Sequence, residues 1–75
     1  MQRVINNLLF DTETAKLVYT DTKNSRKTYA TNNGNFFTVF NNGELQLATE
    51  QSVKELLGTY DIAMYIEVFG QPEEG

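Results

Sequence analysis

The amino-acid sequence predicts an α+β fold: an antiparallel β-meander of three to four strands, covered on one face by two short C-terminal helices. Three observations predict it. Asn33-Gly34 and Asn42-Gly43 punctuate the middle of the chain, the residues between them are rich in Phe, Thr and Val, and the apolar period then changes from two to helical spacing.

Asn-Gly favours a two-residue hairpin turn because both central positions need positive φ. A turn centred on Asn42-Gly43 sets Phe40 opposite Leu45 and Thr38 opposite Leu47; one centred on Asn33-Gly34 sets Thr31 opposite Phe36 and Tyr29 opposite Thr38. Strands then run over residues 27–31, 36–40 and 44–48. One face collects Tyr29, Phe36, Phe40, Leu45 and Leu47, and this larger face should meet the helices. The other collects Ala30, Phe37, Val39 and Ala48. Phe37 and Val39 therefore need shelter from the N-terminal segment or from a symmetric dimer, or they form an exposed partner site.

Downstream, Thr49 can cap a helix in which Val53, Leu56, Leu57 and Tyr60 share one stripe, with Gly58 as its stop. Asp61 can cap a second, with Ile62, Tyr65, Ile66 and Phe69 on its stripe, ended by Gly70 and Pro72. Residues 71–75 read as a frayed tail. Upstream, residues 17–21 form a fourth strand that reaches the meander through the polar turn Thr22–Lys27, preceded by a helical turn that Asp11 or Thr12 caps. Residues 4–10 are apolar without a clear period, and Asn6-Asn7 marks a turn.

The 75 residues make one domain, and with no cysteine it must hold together by packing alone. With no histidine either, the usual zinc sites and the commonest general base are missing. Ser25 and Ser52 lie in no nucleophile motif, Asp11-Thr12-Glu13 lacks the remaining ligands of a calcium loop, and the glycines are single. The expectation is a protein that is not an enzyme and carries no metal or cofactor. The N-terminus has no signal-peptide pattern and no apolar run reaches membrane-spanning length, so a cytoplasmic location is expected.

Charge is divided unevenly. Residues 1–43 hold five basic against three acidic side chains (+2), whereas residues 44–75 hold Lys54 against seven acids (−6). An acidic half repels nucleic acid and attracts basic surfaces. Glu50, Glu55, Asp61 and Glu67 are the candidate acidic contacts to a protein partner, with Phe37, Val39 and Tyr65 as apolar anchors. Lys23, Arg26 and Lys27, beside an aromatic sheet, are the candidate contacts of an alternative nucleic-acid-binding reading. A homo-oligomeric accessory protein is a third.

Four segments carry a resemblance. Residues 10–16 (FDTETAK) look like the Y/F-D-T-x-T-A opening of a group of small uncharacterised proteins of Gram-positive bacteria, their phages and conjugative elements. KTYATNNGNFFTVF is similar to that group's aromatic Gly-Asn-Tyr-Phe segment, ATEQSVKELLGTYD to its acidic helix, and YIEVFGQPEEG to its Y-I-E-x-F-G-x-P-E-E ending. Leu56 stands where the group has Trp, and the tight Asn42-Gly43 turn replaces a glycine-rich insertion. The resemblance transfers no functional residue. It implies a mobile-element setting, in which small acidic proteins often inhibit host defence, as anti-CRISPR proteins do.

Overall fold

A computed structural model describes residues 1–75. The order is β1 (Gln2–Ile5), β2 (Leu8–Asp11), β3 (Lys16–Asp21), β4 (Arg26–Ala30), β5 (Phe36–Phe40), β6 (Leu45–Ala48), α1 (Glu50–Tyr60) and α2 (Ile62–Phe69). The last four strands form an antiparallel meander in the order β3-β4-β5-β6, followed by the two helices, while β1 and β2 pair separately. The predicted α+β class is the observed one.

The register of the meander differs from expectation by one residue at each hairpin. Phe37 pairs with Leu47 and Thr38 with Gln46; on the other side Tyr29 pairs with Phe37 and Thr28 with Thr38. The loops contain three residues instead of two. Phe40 N–H donates to Glu44 C=O at 2.8 Å, Thr31 N–H donates to Asn35 C=O at 2.8 Å, and Gly43 and Gly34 close the loops at φ +85° and +81°. A turn followed by a left-handed glycine is the next commonest hairpin after the two-residue form. Here the second Asn of each Asn-Asn-Gly keeps negative φ and only the glycine turns left-handed.

A one-residue slip moves a strand's side chains to the opposite face. Phe36 now shares its row with Ala30 and Ala48, small residues that let the helices approach. Phe36 packs there with Val18, Val53 and Leu57, bordered by Tyr65, Val68 and Phe69. Phe37 shares its row with Tyr29 and Leu47, and packs with Phe10 and Leu45 on the opposite side of the sheet.

The cover on that second side is the β1–β2 hairpin, whose strands had no readable period. Asn6 and Asn7 both take positive φ (53° and 64°), the two-residue turn that asparagine tolerates. Phe10 meets Phe37 edge-on at 5.5 Å, and Tyr29 stacks on Phe37 at 5.1 Å. Phe37 is 0% exposed. The N-terminal segment supplies the shelter, and the meander, covered on one face by the helices as expected, is the middle of three layers.

Asp11 fastens this layer to the next strand. Its carboxylate accepts from Gln2 Nε2 at 3.0 Å across the hairpin and from Glu13 N–H at 2.9 Å, while its C=O accepts from Ala15 N–H. The expected capped turn is thus present. A bulge between Leu17 and Tyr19 then lets both Val18 and Tyr19 pack on the helix side.

Thr49 caps α1 through Ser52 N–H, as expected. Gly58 does not end the helix, which runs on to Tyr60; a single residue, Asp61, then closes α1 by donating its N–H to Leu57 C=O and opens α2 by accepting from Met64 N–H. No helix is long and apolar enough to cross a membrane.

Both sides of the sheet should carry stability. Leu57→Ala, at a fully buried position, should cost about 2–5 kcal/mol and Phe37→Ala about 3–5 kcal/mol in denaturant melts. A Phe37→Ala loss below about 1 kcal/mol would contradict a packed hairpin layer.

Candidate protein-interaction surface

The fold distributes the sequence-predicted contacts unequally. Phe37 is corrected outright: with no exposed surface it is a core residue that no partner can reach. Val39 borders the same cluster half-buried, and Tyr65 borders the helix-side cluster, its ring 5.3 Å from that of Phe69. Both keep part of their surface exposed.

Among the acids, Glu50 lies exposed in the first turn of α1, where negative charge suits the helix dipole. Glu55 is exposed one turn later and accepts from Gln51 Nε2 at 3.3 Å. Asp61 is occupied as the cap of α2. Glu67, exposed, pairs with Lys16 of β3 and so pins α2 to the sheet edge. Two of the four acids therefore serve the fold, leaving Glu50 and Glu55 without cationic partners. Lys54, the lone cation of this half, lies over the Phe69 ring at 5.3 Å.

The exposed apolar surface lies elsewhere. Tyr60, Ile62 and Ile66 are 69%, 59% and 37% exposed, at the junction of the helices and along α2. The sequence assigned Ile62 and Ile66 to the core. In IAMYIEVF only Glu67 is charged or polar, so apolar periodicity cannot choose a stripe, and the helix docks instead through Met64, Tyr65, Val68 and Phe69. Beside this face, Gly58, Ile62, Tyr65 and Pro72 line a shallow depression of about 300 Å³.

The basic turn forms no matching platform. Arg26 donates to Asp21 at 3.1 Å and lies 6.0 Å from the Phe40 ring centre, while Lys23 and Lys27 are exposed. Phe36, Phe37 and Tyr29 are occupied by the two covering layers, so the expected aromatic sheet is not open for base stacking. What lies nearby is an open groove of about 530 Å³ that includes Arg26, Lys27 and Asp21. No group of three or more acidic side chains is arranged to hold a metal ion.

Asp21 anchors that turn. Asn24 Nδ2 donates to its carboxylate at 2.9 Å, with Arg26 and Asn24 N–H adding to it, and together they hold its pKa down at about 2. The Gln2 side chain, then Glu13 N–H, likewise lowers that of Asp11.

Comparison with known proteins finds no family model, no curated protein and no solved structure that matches this chain.

Because both carboxylates are depressed in the fold, the stability they contribute is complete above the ordinary value of 3.8 and is lost as pH falls through the folded values. Tm should drop between about pH 4 and pH 2, and the gap between wild type and Asp21→Asn should close over that window. A gap that stays constant from pH 6 to pH 2 would contradict the assignment.

Proposed function

We propose that this chain is a non-catalytic, protein-binding inhibitor or modulator, acting in the cytoplasm, that docks the outer face of its C-terminal helices on a basic surface of a nucleic-acid-handling protein. The observation that carries the reading is α2: a helix apolar on nearly every side that buries only one of them. Such a helix is normally buried all round. Tyr60, Ile62 and Ile66 supply the apolar contact area, and the depression beside Gly58 can receive one side chain of the partner. Tyrosine and clustered aliphatic residues suit the centre of an interface.

Charge supplies the complement. The half of the chain that bears this face has a formal charge of −6, and its single lysine is packed on an aromatic ring. Such a field speeds encounter with a basic groove and disfavours nucleic acid itself. The mobile-element, anti-defence setting is supported by the resemblance of the Asp-Thr-x-Thr-Ala and Tyr-Ile-Glu-x-Phe-Gly-x-Pro-Glu-Glu segments.

The test begins with affinity purification from the native host and mass spectrometry, followed by binding measurements on the recovered protein. Ile62→Lys with Ile66→Lys should weaken that complex at least tenfold while leaving Tm unchanged. Glu50→Lys with Glu55→Lys should slow association and flatten its salt dependence. A partner indifferent to both pairs would overturn the docking face. In gel shifts at low salt, short single- and double-stranded oligonucleotides should not move; binding tighter than the non-specific range of about 10⁻⁴ to 10⁻⁶ M would favour the nucleic-acid reading instead.

A further inference from the structure

The meander ends in two strand edges that the chain treats differently. At β3 the edge is interrupted by the bulge at Leu17/Tyr19 and has Lys16 and Asp21 at its ends, with Lys16 held by Glu67 of α2. Bulges, charges and covering elements are the usual means of keeping an edge from pairing with another chain. At β6 there is no bulge, and the charges, Glu44 and Glu50, lie just beyond the strand instead of in it. Its four residues, Leu-Gln-Leu-Ala, contain no charge, no proline and no bulge, and it pairs only with β5.

The register shows which groups are free. Phe40 N–H bonds Glu44 C=O, so in an antiparallel ladder Gln46 and Ala48 also direct their backbone groups to β5. Leu45 and Leu47 direct theirs outward. At the Leu47–Ala48 end of that edge lies a groove of about 400 Å³, shared by Ile5 and Leu8 of the N-terminal hairpin, Asn35 and Phe36 at the start of β5, and Leu47 and Ala48. Leu8 and Leu47 are 43% and 46% exposed there. Glu44 and Glu50 stand exposed at the two ends of the strand.

We infer that the β6 edge is a strand-addition site for an extended segment of another protein, with apolar side chains at alternate positions and basic residues near both ends. The incoming main chain pairs with the outward N–H and C=O groups of Leu45 and Leu47. Its alternate apolar side chains enter the groove between Leu47 and the Ile5–Leu8 tip, and its basic ends meet Glu44 and Glu50. A second copy fits poorly. Two chains of net charge −4 would meet, each bringing Glu44 and Glu50 to the same seam. This site is separate from the helical face and can stand or fall independently of it.

The test pans a display library of random twelve-residue peptides on the immobilised full-length protein and titrates the synthesised winners by calorimetry and NMR. Enriched peptides should alternate apolar residues between Lys or Arg, and should shift the Leu45 and Leu47 amides. Leu47→Pro removes an outward N–H, which an edge strand tolerates, together with the leucine side chain that lines the groove, and should cut peptide affinity at least tenfold. Glu44→Lys with Glu50→Lys, at exposed positions, should do the same and decides the matter if the proline variant does not fold. Ile62→Lys with Ile66→Lys should leave peptide binding unchanged. Absence of enrichment, peptides indifferent to the edge variants, or a dimer in sedimentation that Leu47→Pro dissolves would overturn the proposal.

Discussion

Two glycines in left-handed conformation, Gly34 and Gly43, decide what each phenylalanine of β5 touches. A side chain on Cβ makes that region costly, and only glycine enters it freely. With the left-handed position placed third in each loop, the strands on either side of β5 shift by one residue relative to a two-residue turn. Phe36 then lies between two alanines and Phe37 between Tyr29 and Leu47. Both loops make the same choice, so the central strand presents one consistent pair of faces.

From that register follows the three-layer build. A domain this small, without disulfides, has little interior to fill, and it gains a second core by using the back of the sheet. The helices close one side through Val53 and Leu57, and the N-terminal hairpin closes the other through Phe10. Polar groups that look available in the sequence are spent on holding these layers: Asp11 joins the hairpin to the turn that follows, Asp61 caps one helix while ending another, and Glu67 reaches Lys16.

Much of this was legible in the sequence where a local rule acts alone. The caps at Thr49 and Asp61, the turns at Asn33-Gly34 and Asn42-Gly43, and the strands they join each follow from short-range chemistry. Loop length was not legible, since Asn-Asn-Gly serves a two-residue or a three-residue hairpin equally well. The strands of the first hairpin were hidden because Val4 and Leu9, on its outer face, are as apolar as Phe10 on its inner face. The docking stripe of α2 was hidden for the same reason. Of the proposed contact residues, the exposed acids Glu50 and Glu55 were identifiable, whereas Ile62 and Ile66 were mistaken for core.

Those failures share a cause that bears on function. Periodicity fails where apolar residues occupy both sides of an element, and the outer face of α2 is such a place, as is the outer face of the first hairpin. The register of β5 underlies all of these assignments, and the most direct measurement is the set of Hα–Hα NOEs across the meander. Close pairs are expected between Phe37 and Leu47, between Val39 and Leu45, and between Thr28 and Thr38, together with contacts from the Phe10 ring to that of Phe37. Pairs offset by one residue, Thr38 with Leu47 and Tyr29 with Thr38, would contradict this register.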